Sequence, residues 1–169
     1  AVSEVNTQYH DGPATISPDG KTMFFATESF RQGDYVKNKA KLIKLGKVSL
    51  YKATRKGDKW ANFEPVPFNG KDYSVSNPSL STDGKTLYFA SDMPGTMGGM
   101  DIWKVALYDD GSYGVPLNMG SQVNTEGRES FPFIAEDNKL YFASDSRKGF
   151  GGLDVYVIDL VIPKAEPKN

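Results

Sequence analysis

Two glycine-rich segments each lead into an aspartate: Gly95-Thr96-Met97-Gly98-Gly99 before Asp101, and Gly149-Phe150-Gly151-Gly152 before Asp154. A carboxylate beside flexible loop carbonyls is the raw material of a calcium site, because that ion takes a shell of oxygen ligands. The structural reading of the same residues is preferred: glycine permits tight loops with positive φ, and an aspartate can accept hydrogen bonds from loop amides where a strand begins. A phosphate cradle would need a helix N-terminus after the glycines, whereas both segments connect strand to strand. No cofactor is expected, with calcium at Asp101 and Asp154 as the secondary reading.

Catalytic constellations are poorly supplied. His10 is the sole histidine, so a serine-histidine-aspartate arrangement would have to use it, and no Gly-x-Ser-x-Gly elbow is present. The absence of cysteine removes thiol nucleophiles and thiolate metal sites. Asp109-Asp110 precedes Gly111 and reads as a turn, while Glu126 and Glu129 flank Arg128 between repeats. Ser17-Pro18-Asp19-Gly20-Lys21-Thr22 resembles the Asp-box of sialidase propellers but is one residue short and lacks the tryptophan. The expectation is a protein without catalytic residues.

Binding is better provided for. The 169 residues carry 20 basic and 21 acidic side chains, net −1, which argues against a nucleic-acid partner. Ten of the basic residues fall between Arg31 and Lys59 against only Asp34 and Asp58. Within that stretch Lys37, Lys39, Lys41 and Lys44 are candidates for steering an acidic protein or anionic polymer. Phe30, Tyr35 and Phe150 fall in expected loops and are candidate aromatic anchors. Residues 36–45 have some helical periodicity and are expected to form a loop or a single helical turn. No apolar run approaches the length of a membrane-spanning helix.

The elements that must carry these residues come from internal repetition. Ser17-Pro18-Asp19-Gly20-Lys21-Thr22-Met23-Phe24-Phe25-Ala26-Thr27 returns as Ser81-Thr82-Asp83-Gly84-Lys85-Thr86-Leu87-Tyr88-Phe89-Ala90-Ser91. It returns again as Ala135-Glu136-Asp137-Asn138-Lys139-Leu140-Tyr141-Phe142-Ala143-Ser144. A further strand-like segment follows each copy: 48–52, 101–105 and 154–158. Aspartate-glycine between β-rich runs predicts a two-residue hairpin. One unit reads as strand A (78–81), strand B (86–91), strand C (101–107) and strand D (113–119), which is one propeller blade.

The predicted fold is therefore all-β, with three four-stranded repeats forming a partial ring, half of a six-bladed propeller. Blades are expected at about 10–69, 70–125 and 126–160. Residues 1–9 would be a closing strand or a link from a neighbouring blade, and 163–169 a linker tail. Three blades cannot close a ring of four to eight. A longer parent chain, a homodimer that completes six blades, and an open wedge capped by another protein all remain open.

Several segments together resemble the WD-repeat-like, TolB-type propellers of OmpA-family envelope proteins of Bacteroidetes, including a type IX secretion component. They are 9–13, 67–69, 73–75, 77–81, Ala90-Ser91-Asp92-Met93-Pro94-Gly95, Gly98-Gly99-Met100-Asp101-Ile102, 123–129 and Gly151-Gly152-Leu153-Asp154-Val155. The resemblance implies a periplasmic, outer-membrane-associated scaffold with protein partners, usually joined to a domain that grips peptidoglycan. No segment here looks like that domain. A module that binds carbohydrate or peptidoglycan fragments is the alternative, and a glycosidase or lyase a more distant one.

Overall fold

A computed structural model describes residues 11–28, 35–38 and 43–160 of the chain. Eleven of its strands form three antiparallel sheets that pack face to face as successive blades, and two more form a separate hairpin. Blade 1 contains β1 (Asp11–Ile16) and β2 (Thr22–Glu28). After a separate hairpin of β3 (Tyr35–Asn38) and β4 (Ile43–Gly46), it continues with β5 (Val48–Lys56) and β6 (Lys59–Pro65). Blade 2 is β7 (Val75–Leu80), β8 (Thr86–Ser91), β9 (Asp101–Ala106) and the short β10 (Leu117–Asn118). Blade 3 shows β11 (Glu129–Ile134), β12 (Lys139–Ser144) and β13 (Asp154–Asp159). No helix occurs among the described residues.

The Ser-x-Asp-Gly turns differ from the predicted two-residue form. Gly20 N donates to Ser17 O (2.8 Å) and Gly84 N to Ser81 O (2.9 Å), each glycine having a left-handed φ, of 69° and 68°. Either primed two-residue turn needs positive φ at its first central residue, and neither Asp19 nor Asp83 has it. The aspartate instead closes the loop from within: Asp83 Oδ1 accepts from Ser81 Oγ (2.6 Å) and Lys85 N (2.9 Å). Ser81 Oγ in turn accepts from Thr86 N (2.9 Å). The third copy lacks one residue and puts Asn138, at φ 60°, where the others have glycine.

Two other expectations are corrected. Residues 36–45 contain a hairpin in place of a loop or helical turn, with Val36 opposite Leu45 and Lys37 opposite Lys44. The helical spacing of Val36, Ala40 and Ile43 obscured that pairing. Strand D of blade 2 shrinks from seven residues to Leu117–Asn118 plus an isolated bridge between Leu107 and Tyr113. Gly114 N donates to Ala106 O (2.9 Å), one residue out of the Leu117–Lys104 register, so the pairing slips between the two.

Alternation within each strand gives every blade two apolar faces. The face toward the following blade holds Phe24, Ala26 and Leu50 in blade 1, and Tyr88, Ala90 and Ile102 in blade 2. The face toward the preceding blade holds Leu87, Phe89, Trp103 and Val105 in blade 2, and Leu140 and Phe142 in blade 3. These surfaces meet as two continuous cores, with Phe68 stacked on Phe89 at 5.0 Å in the first. Burial of this kind contributes about 25 cal/mol per Å² of apolar surface, so the blades stabilise one another.

Candidate functional site

The two ends of the stack are unequal. Blade 1 has no preceding blade among the described residues, yet Met23, Phe25, Tyr51 and Ala53 on that side are at most 5% exposed. Trp60 and Phe63 of its own outer strand pack against them, and Phe63 meets Phe25 edge to face at 6.1 Å. Blade 3 is open on its far face. Val155 is 75% exposed where its repeat equivalents Leu50 and Ile102 are 0%. Phe133 (61%) and Val157 (49%) flank half-buried Tyr141 in one cross-strand row.

Three further features mark what that face lacks. The first is a side-chain clamp. Asn69 accepts from Leu50 N (2.9 Å) and donates to Leu50 O (2.8 Å), and Asn124 does the same for Ile102 (2.7 and 2.9 Å). Each asparagine thus copies a strand partner from the link to the following blade, and no described residue takes that place beside Val155.

The second is the glycine pair. A Cβ on Gly98 would lie 2.4 Å from Gly127 O, and one on Gly99 would lie 2.9 Å from Arg128 Cγ. That closeness allows Gly99 N to donate to Gly127 O (2.6 Å) and Glu129 N to Met100 O (2.7 Å). Gly151 and Gly152 stand at the equivalent place with nothing within 4 Å. Their sequence is suited to a backbone approach that the described residues do not make.

The third is the seam anchor. Glu129 is fully buried, and its carboxylate accepts from Thr125 N (2.8 Å), Thr125 Oγ1 (2.6 Å) and Ser144 Oγ (2.6 Å). Thr125 Oγ1 also contacts Ser146 Oγ closely. This network fixes the start of β11 against the end of β12 once the seam between blades 2 and 3 has formed.

The residues singled out in the sequence are scattered. Asp101 Oδ2 accepts from Met97 N (2.8 Å) and Asn118 Nδ2 (2.6 Å), and Asp154 Oδ2 accepts from Gly151 N (3.2 Å), so both aspartates tie glycine loops to strand starts. Asp101 Oδ1 is buried without a partner. Among the described residues no three His, Cys, Asp or Glu side chains converge on a common point. Phe150 is fully exposed on the loop before β13. Tyr35, Lys37 and Lys44 lie on the β3–β4 hairpin, far along the chain from Phe150. His10, Phe30, Lys39 and Lys41 fall outside the described residues.

Sequence reasoning missed Phe133, Tyr141, Val155 and Val157. A position-by-position comparison of repeats holds the signal: Ser79 becomes Phe133 and Lys104 becomes Val157, so polar positions turn apolar in the last blade.

No family model matches the chain, and no curated protein does. Solved structures show its fold. A protein assigned as TolB from Agrobacterium tumefaciens aligns with a TM-score of 0.59 at 19% identity, over 92% of this chain and 47% of its own. A puromycin-hydrolyzing peptidase from Mycobacterium tuberculosis aligns at 0.57 and 16% identity, over 90% of this chain and 22% of its own. TolB from Acinetobacter baumannii gives 0.48 and 18%, over 88% and 30%. The chain has the fold of a TolB-like propeller segment and spans about half the length of the Agrobacterium protein.

Proposed function

We propose that the chain is a non-catalytic interaction and scaffolding segment of a bacterial cell-envelope propeller, periplasmic and associated with outer-membrane or peptidoglycan-linked secretion machinery. The observation that carries the interaction reading is the open far face of blade 3. It combines core-type side chains, an unclamped strand backbone at Val155 and a glycine pair with nothing packed on it. The same three features are each occupied one blade earlier, by a link and a following blade. The partner suited to this face is therefore another propeller blade with large apolar residues at the positions of Leu87 and Phe89. The envelope setting rests on the repeat motifs and on the TolB-like fold. No cofactor enters this reading.

Light scattering over a concentration series, run with a hydrophobic dye, tests it. The wild-type chain is expected to bind the dye and to associate as concentration rises. Val155→Asp combined with Val157→Asp is expected to abolish both while leaving the thermal midpoint nearly unchanged, because both side chains are already in water. A wild-type chain that neither binds dye nor associates would overturn the assembly reading.

A further inference from the structure

A second feature lies away from that face and is independent of it. Between blades 1 and 2, at the end where the Ser-x-Asp-Gly turns lie, a cleft of about 260 Å³ opens to solvent. We propose that it binds one neutral, polyhydroxylated ring the size of a single pyranose sugar.

Its walls are aromatic. Phe24 and Tyr113 meet edge to face at 6.4 Å, and Tyr108 stands at the mouth, 56% exposed. Tyr108 offers an apolar face to the C–H side of a sugar, the two phenols keep polar tips for its hydroxyls, and buried Phe24 backs the cleft. Tyr113 remains a donor across the working range, since burial and the nearby Glu64 carboxylate push its phenol up to about 12. The volume lies below the roughly 300 to 1,000 Å³ of pockets for drug-sized ligands and suits one ring.

Its polar groups are uncommitted. Among the described residues the Lys52 ammonium, the Thr22 hydroxyl and the Asp109 carboxylate line the cleft without a hydrogen-bond or ion-pair partner for the side chain. Lys52 and Asp109 carry opposite charges, so neither a free cation nor a free anion is favoured throughout, and Glu64, across from Lys52 on β6, adds further repulsion for anions. A neutral ligand with both donors and acceptors is served by all three groups.

The frame is rigid. Asp110 accepts from Ser112 N (2.9 Å) and Ser112 Oγ (2.6 Å). Gly111 N bonds Tyr108 O at 2.9 Å, so the loop carrying Tyr108 and Asp109 is set before any ligand arrives. Preorganisation of this kind reduces the entropic cost of binding.

The test is a titration of the whole chain with methyl β-D-glucopyranoside and with N-acetylglucosamine, followed through the ring resonances of Tyr108 and Tyr113. Saturable shifts are expected with at least one of the two sugars. Tyr108→Ala and Lys52→Met should each weaken binding about tenfold, whereas Met97→Ser, at the other end of blade 2, should not change it. Acetate and ethylammonium should produce no shift. The proposal is overturned by the absence of sugar shifts, by shifts that survive both substitutions, or by a capped Ala-Tyr-Ala peptide moving these resonances when the sugars do not.

Discussion

At the scale of single residues, the aspartates of the turns carry charge that the fold has made useful. Hydrogen bonds from Ser17, Ser81 and Ser112 hold the carboxyls of Asp19, Asp83 and Asp110 below their ordinary value of 3.8, and the Lys139 side chain does so for Asp137. A carboxyl whose folded pKa lies below its unfolded one stabilises the fold above the unfolded value. That contribution is lost as pH falls through the folded value. Asp83→Asn is therefore expected to be less stable than wild type near pH 7, with the deficit shrinking near pH 2.5. Thermal unfolding at the two pH values checks this, and a deficit of the same size at both would exclude the linkage. The sequence displayed Asp19, Asp83 and Asp137 as one repeated position. It did not display the Ser81 hydroxyl as both donor and acceptor, because that depends on a loop closing from Ser81 to Thr86.

Among elements, the two glycine pairs look alike as letters and differ as surroundings. Gly98→Ala pushes a methyl group into the Glu126–Gly127 backbone, which leads into blade 3, whereas Gly151→Ala meets open space. The first is expected to destabilise by about 2 kcal/mol or more and the second by less than about 0.5 kcal/mol, as for surface changes away from packing. Urea unfolding measures both. The asparagine clamps make a parallel prediction for hydrogen exchange. The amides of Leu50 and Ile102, held by Asn69 and Asn124, should exchange slowly, and that of Val155 quickly. Equal protection at all three would show that the last blade is covered in solution. Strand positions were legible in the sequence because β-rich runs recur between turn residues. The β3–β4 hairpin was not, since Val36, Ala40 and Ile43 fit a helical spacing. Nor was the shortening of strand D, where the pairing slips by one residue between Gly114 and Leu117.

For the whole molecule, the blade count was readable from the repeats, but the inequality of the two ends was not. Phe63 of the outer strand meets Phe25 edge to face, a contact between strands that no periodicity announces. The cleft was equally hidden, since Lys52 comes from blade 1 and Tyr108 and Asp109 from blade 2. The sealed side of blade 1 and the open side of blade 3 also give the molecule a direction in time. In a chain made in this order, blade 2 covers the apolar face of blade 1 that holds Phe24 and Leu50, and blade 3 then covers the face of blade 2 that holds Tyr88 and Ile102. Among the described blades the open apolar face belongs at each stage to the most recently made one, so the hazard of mispairing moves along them as one front.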